Sequence, residues 1–238
     1  MCTVSWIYDN DNYICTSNRD EHINRLAATF PVQIKRNGIE LTFPQDQQAG
    51  GTWYAVSNTG HLGVLLNGAF ERHSHQPPYA RSRGLVLLEI LENKFPVEHF
   101  QEMSLKNIEP FTLILHHNTE LTEVRWNGVT KYEKALDPKG KYIWSSATLY
   151  DKEVIAHREK LFEAFIATQS NFTENKILEF HHYNDNAQFS FILDRLDGLK
   201  TVSITQSILG KDKISLSYKD MSDKKITFLE INRQLSLA

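Results

Sequence analysis

A cysteine directly after the first methionine is the residue in this sequence best suited to carry out chemistry. If Met1 is removed, Cys2 holds both a thiol and a free α-amine. The amine has an ordinary pKa of about 7.7 to 8.0 and the thiol one of about 8.5, so the amine can accept the thiol proton near neutral pH. Cys2 is therefore a candidate N-terminal nucleophile. The alternative is that it is a small buried residue without a catalytic role.

A β-hairpin is predicted to position this cysteine. Residues 3–8 are rich in β-branched and aromatic side chains, and residues 9–12 are the turn sequence Asp-Asn-Asp-Asn. If those four residues form the turn, pairing back along both strands places Cys2 opposite Arg19. The same register places Cys15 roughly 13 Å from Cys2 at ~3.3 Å per residue, which disfavours a disulfide between them.

Polar residues follow on the second strand of this hairpin, in the order Asn18-Arg19-Asp20-Glu21. An arginine beside the cysteine would stabilise the thiolate and lower the pKa of the thiol. Asp20 would orient the ammonium group. The alternative is that Arg19 forms a structural ion pair with Asp20 or Glu21.

The remaining chain predicts one layered α+β domain over residues 1–238, because strands are followed by helices and then by strands again. With 26 Lys and Arg against 29 Asp and Glu, the chain lacks the basic surplus of a nucleic-acid-binding protein. It also lacks the apolar run of ~18 residues that a membrane span needs. Without an export signal we expect a cytoplasmic location. Strands are predicted over residues 3–8, 13–17, 39–43, 53–57, 62–66, 111–116, 122–126, 142–145, 201–208, 213–218 and 225–231, and helices over 82–93, 151–168 and 173–180.

Three further short motifs follow in order. Gly50-Gly51-Thr52-Trp53 precedes a strand, Leu66-Asn67 ends the next strand, and Ser82-Arg83-Gly84 opens a helix. With the Met-Cys start and residues 18–21, these motifs resemble the NRDE family, also called the transport and Golgi organisation protein 2 family. The resemblance implies an N-terminal-nucleophile hydrolase fold, a four-layer αββα sandwich in which helices flank two stacked antiparallel sheets.

The resemblance also implies the catalytic roles. It extends to bile-salt hydrolase and penicillin V acylase relatives, which split amides with an N-terminal cysteine beside an arginine and an aspartate. On that comparison Cys2 is the nucleophile, Arg19 stabilises the thiolate and Asp20 orients the amine. Asn67 is a candidate oxyanion donor, worth about 3 kcal/mol to the transition state.

Four other positions are assigned to substrate binding, namely Asn18, Trp53, Ser146 and Lys200. Two of them depart from the family pattern, because Ser146 stands where an amide side chain is expected and Lys200 where an arginine is expected. Lysine keeps the charge but lacks the planar fork that grips a carboxylate. Trp53 is also a strong candidate for the hydrophobic core.

Two functions are compatible with these residues. The first is an N-terminal cysteine hydrolase or acyltransferase-like enzyme acting on a small amide or thioester, with no cofactor required. The second, which the resemblance implies because the family is linked to haem handling and to acyl-CoA or lipid metabolism, is a non-catalytic protein that binds or traffics haem, acyl-CoA or another lipid-like ligand. The histidine pairs at residues 73 and 75, 116–117 and 181–182 do not match a zinc-binding pattern, so no metal site is predicted.

Overall fold

The computed structural model describes residues 3–184 and 189–234, which form thirteen strands and four helices in this part of the chain. The elements are β1 (Thr3–Asp9), β2 (Asn12–His22), β3 (Val32–Arg36), β4 (Ile39–Phe43), β5 (Tyr54–Ser57), β6 (Leu62–Asn67), α1 (Arg83–Leu91), α2 (Pro96–Glu102), β7 (Phe111–His117), β8 (Glu120–Trp126), β9 (Lys131–Leu136), β10 (Lys141–Ser145), α3 (Lys152–Thr168), α4 (Glu174–His181), β11 (Leu199–Leu209), β12 (Lys213–Asp220) and β13 (Ile226–Asn232). None of the described helices is long and apolar enough to cross a membrane.

The strands form two antiparallel sheets, which pack face to face between helices. Sheet A has the order β10-β1-β2-β11-β12-β13, and sheet B runs from β3 to β9 in sequence order. The Tyr54 hydroxyl of sheet B donates to the Cys15 carbonyl of sheet A at 3.1 Å, and the Trp6 and His116 rings meet across the same interface. Helices α1 and α2 cover the outer face of sheet B, while α3 and α4 cover that of sheet A. The predicted αββα sandwich is confirmed.

The first hairpin has the predicted register. Asn10 and Asp11 occupy its two central turn positions with φ of 48° and 59°. This conformation is that of a type I′ turn, which Asn and Asp tolerate and which matches the twist of paired strands. The ladder runs from the pair next to the turn back to Thr3 opposite Asn18.

Strand β2 is longer than predicted because its polar end is paired rather than exposed. The prediction ended this strand at residue 17, whereas β2 reaches His22 and pairs with β11 as far as Leu199. The segment from Asn18 to Asp20 is buried and paired with β11. Charged residues in mid-strand are rare, so their local sequence resembles a loop.

Three elements were not predicted. Strands β3 and β9 form the two edges of sheet B, are only five and six residues long, and contain no fully buried residue, so their apolar signal is short. Helix α2 has seven residues and begins at Pro96, a favoured residue in the first helical turn. Helices α1 and α3 start as predicted, with Ser82 capping α1 and Asp151 capping α3.

Candidate active site

Arg19 is the buried charge around which the candidate site is built. Its side chain points from β2 toward sheet B, where its guanidinium lies over the Trp53 ring at 4.1 Å. Its Nη2 donates to Asp46 Oδ2 at 2.9 Å and lies 3.6 Å from Glu21. Burial lowers the pKa of Arg19, whereas the charges of Glu21 and Asp46 act to raise it. The arginine keeps its proton because the ordinary pKa of a guanidinium lies far above neutral pH.

A cavity of about 220 Å³, here called the polar cavity, opens beside this arginine. Three of the predicted site residues, Arg19, Trp53 and Asn67, lie on its wall. Arg25 and Arg83 add two further guanidinium groups, and Arg83 is paired with Glu109 at 3.0 Å behind the wall. The carboxylates of Glu21 and Asp46 lie on the same wall, so the cavity presents both donors and acceptors to a polar ligand.

Two of the short sequence motifs meet at this wall, because the backbone at Gly51 packs directly on the start of α1. A Cβ added to Gly51 would lie 2.4 Å from the carbonyl carbon of Gly84, and one added to Gly84 would lie 2.7 Å from Thr52 backbone atoms. Only glycine at both positions permits this approach. The contact fixes the backbone that leads into Trp53.

Asn67 ends β6 and lines the polar cavity. Its backbone carbonyl accepts a hydrogen bond from the Ser146 hydroxyl at 2.9 Å. Its side-chain Oδ1 is buried and has no hydrogen-bond partner among the described residues. Ser146 is fully buried, so the structure places it behind Asn67, where it holds the backbone of the candidate oxyanion donor.

Asp20 points to the other face of β2, toward the helices. Its carboxylate accepts hydrogen bonds from the Thr201 hydroxyl at 2.6 Å and from the Tyr150 hydroxyl. The guanidinium of Arg158 stacks on the Tyr150 ring at 3.8 Å. Burial, followed by the charge of Asp20, raises the pKa of Tyr150, so the phenol remains a donor. The alternative in which Arg19 pairs with Asp20 is wrong, because successive strand residues face opposite ways.

Asn18 is also on the outer face, where its contacts are those of a structural clamp. Its amide nitrogen donates to the carbonyls of His181 and Phe191, at 3.0 and 2.8 Å, and its Oδ1 lies 2.6 Å from His181 Nδ1. The same ring contacts the Ser5 hydroxyl at 2.7 Å. This serine, histidine and asparagine resemble a catalytic triad, but all three are fully buried and no substrate reaches them. We no longer assign Asn18 to substrate binding.

Lys200 lies at a second opening, a groove of about 580 Å³ here called the side groove. Its ammonium pairs with Asp194 at 2.9 Å, and it neighbours Glu21 in the β2–β11 ladder. Arg19, Glu21 and Arg25 line both the side groove and the polar cavity, so these three side chains form the partition between them.

The family model for Transport and Golgi organisation 2 matches residues 1–223. The chain belongs to this family. No curated protein sequence matches it.

Solved structures share the fold of this family member at low sequence identity. The N-acylethanolamine-hydrolyzing acid amidase ortholog of Caenorhabditis elegans superposes with a TM-score of 0.60 and 15% identity, covering 86% of this chain and 92% of that one. Two variants of conjugated bile acid hydrolase from Clostridium perfringens, one with a cysteine and one with an arginine replaced, each give a TM-score of 0.56 at 12% identity, covering 100% of this chain and 99% of the other. These neighbours are N-terminal-nucleophile hydrolases, which confirms the fold assignment.

The predicted nucleophile, Cys2, lies outside the described residues of this Transport and Golgi organisation 2 protein, whereas its other cysteine is placed. Cys15 is fully buried between the sheets, and burial raises the pKa of its thiol to about 12. This thiol is therefore inert at neutral pH. No group of three or more His, Cys, Asp or Glu side chains in the described ranges is arranged to hold a metal ion.

Sequence reasoning missed three residues of the site: Asp46, Arg25 and Tyr150. A buried arginine requires an anionic or hydrogen-bonding partner. If Arg19 is assumed to be buried, an acid can therefore be expected nearby. That expectation does not identify the acid. Asp46 lies in a loop and Tyr150 in the segment before α3, and neither belongs to a short motif.

Proposed function

We propose that this protein is an N-terminal cysteine hydrolase or acyltransferase-like enzyme that acts on a small amide or thioester. The observation that carries the proposal is the hairpin ladder, which pairs Thr3 with Asn18. Extended by one position, the same register would set Cys2 opposite Arg19, which lines the polar cavity together with Asn67. A thiolate there would have a guanidinium beside it and an amide side chain in the same cavity.

The chemistry follows from these groups. The α-amine of Cys2 takes the thiol proton, and the sulfur forms a bond to the substrate carbonyl carbon. The carbonyl oxygen becomes negative and is stabilised by the Asn67 side-chain amide. The carbon–nitrogen bond of an amide then breaks, and the leaving nitrogen takes the proton from the ammonium group. In a thioester, the carbon–sulfur bond breaks instead.

The acyl group is left as a thioester on Cys2. Water attacks it, the α-amine accepts the water proton, and the carboxylic acid and the free thiol are released. An acyltransferase-like reaction would use another acceptor in place of water. Asp20, held by Tyr150 and Thr201, would orient the ammonium form of the amine between these steps.

The partition between the two openings supports a substrate with two unlike halves. The polar cavity suits a small polar group, whereas Ile23, Leu26 and Val202 give the side groove apolar walls. Arg19 stands between them. The side groove also favours the second candidate function, the binding of a lipid-like ligand without hydrolysis.

Three measurements on the wild-type protein and a Cys2→Ala variant test the proposal. The intact mass should show loss of Met1, since retention leaves no free amine on Cys2. Iodoacetamide at pH 6.5 should alkylate Cys2 much faster than Cys15, which is buried. A panel of N-acyl amides and acyl thioesters should be hydrolysed by the wild type and not by the variant. Ligand binding that survives in both proteins, with no hydrolysis in either, would instead indicate the carrier function.

A further inference from the structure

Asp46 is a buried carboxylate that two arginines share. Its Oδ2 accepts from Arg19 Nη2 at 2.9 Å and from Arg25 Nε at 2.8 Å. Its Oδ1 accepts from the backbone N–H groups of Gln48 and Ala49 at 3.0 and 2.9 Å. Both carboxylate oxygens are thus held, one by the side chains of the site and the other by its own loop.

The loop that fixes Asp46 also leads into the Trp53 ring. The Gly50 N–H donates to the Asp46 carbonyl at 2.8 Å, and the Asp46 N–H donates to the Gly51 carbonyl at 2.9 Å. Trp53 follows two residues later and lies under the Arg19 guanidinium. One short segment therefore supplies both the carboxylate at one edge of the guanidinium and the ring against its face.

The other charged and titratable groups around Arg19 do not replace its hydrogen bond to Asp46. Glu21 lies 3.6 Å away, beyond hydrogen-bond length, and it is shared with Arg25. Tyr218 on β12 is buried, and burial raises its phenol pKa, so at neutral pH it offers Arg19 no counter-charge. The Arg19 Nε has no hydrogen-bond partner among the residues described. Asp46 is therefore the group that fixes the orientation of the guanidinium in its plane.

We propose that Asp46 is a positioning residue that holds the Arg19 guanidinium against Trp53 and thereby fixes the positive charge that stabilises the Cys2 thiolate. This inference rests on the proposed function. Without Asp46, Arg19 would turn toward Glu21 and the side groove, and the thiolate would lose its nearest cation. The two arginines would then compete for a single carboxylate.

The experiment compares the wild type with Asp46→Ala and Asp46→Asn, the second of which keeps the side-chain volume and one acceptor oxygen. The rate of Cys2 alkylation is measured from pH 5 to 9 to obtain the pKa of the thiol. Phenylglyoxal modification of Arg19, located by peptide mass, reports separately on its position. Glu230→Gln removes a carboxylate from an exposed lysine pair, and Ile214→Val weakens the core near the far end of sheet A. Glu230→Gln is the control for the loss of a negative charge, and Ile214→Val is the control for a loss of stability.

We expect Asp46→Ala to raise the pKa of the Cys2 thiol by about one unit, which slows alkylation about tenfold at pH values well below that pKa. Arg19, only 3% exposed in the wild type, should become reactive toward phenylglyoxal. Asp46→Asn should give a smaller shift, and both controls none. A lowered pKa of the Cys2 thiol in Asp46→Ala would overturn the inference, because Asp46 would then act only as a negative charge that offsets the positive charge of Arg19. If wild-type Cys2 is reactive and both Asp46 variants keep the wild-type pH profile of alkylation, only the inference about Asp46 is overturned. If wild-type Cys2 is itself unreactive, the proposed function is overturned as well.

Discussion

Acidification should destabilise this protein, chiefly because three of its buried histidines have strongly lowered pKa values. His61, His116 and His181 are at most 4% exposed. Burial is the main cause that lowers the pKa of each, to about 4 for His61 and His116 and about 3 for His181. The charge of His117 adds to this effect at His61 and that of His182 at His181. All three are therefore neutral in the folded protein at pH 6.

The size of the effect follows from linkage. In the unfolded chain these histidines bind protons below their ordinary pKa of about 6.5, while the folded protein binds none until about pH 4. The unfolded state binds more protons in this window, so the free energy of unfolding falls as the pH falls. Each histidine contributes about 1.4 kcal/mol per pH unit, and the three together about 4 kcal/mol between pH 8 and pH 5.5. This is a large part of the ~5–15 kcal/mol of a typical domain.

Urea denaturation at several pH values between 8 and 5 measures this loss. The slope below pH 6 should approach about 4 kcal/mol per pH unit, equivalent to an uptake of about three protons on unfolding. His181→Gln should remove about one third of the slope. Its control, His75→Gln, alters an exposed histidine and should leave the slope unchanged. A free energy of unfolding that stays constant from pH 8 to pH 5.5 would refute the argument that these rings are buried and neutral.

Three further predictions concern the site. Gly84→Ala should lower the free energy of unfolding by about 1–3 kcal/mol in urea, because its Cβ would lie 2.7 Å from the Thr52 backbone, and an unchanged midpoint would contradict this packing. Tyr150→Phe leaves Asp20 with one hydrogen bond fewer and should lower the stability by about 1–3 kcal/mol and slow turnover, while full stability and activity would contradict the role of this hydroxyl. Cys15 should resist iodoacetamide in native protein up to pH 9 and react after unfolding, so rapid native labelling would contradict its burial.

The parts of the fold that were predicted correctly depend on neighbours in the chain. The turn at Asn10 and Asp11 determines the hairpin register, because both residues tolerate positive φ. Ser82 and Asp151 begin helices by accepting backbone N–H bonds three residues later. The edge strands of sheet B, β3 and β9, and the polar end of β2 were missed, since their positions depend on which strands lie beside them.

In the candidate site, too, the residues of local motifs were predicted, whereas partners that are distant in the chain were not. The motifs indicated Arg19 and Asn67, and both line the polar cavity. Asp46 and Tyr150 were not predicted, although each contacts a motif residue directly. Asp46 is 27 positions from Arg19 and Tyr150 is 130 positions from Asp20. No local sequence pattern indicates a contact between residues so far apart in the chain.

By itself the sequence determined the hairpin, the helix starts, the order of the motifs and hence the family. The tertiary structure alone decided which face of β2 each polar residue occupies, that Asn18 is a clamp, and that Asp46 and Tyr150 hold Arg19 and Asp20. The physical reason is that turns and caps are satisfied by residues within a few positions. A buried charge, in contrast, is satisfied by whichever partner the packing of the two sheets and their helices brings to it.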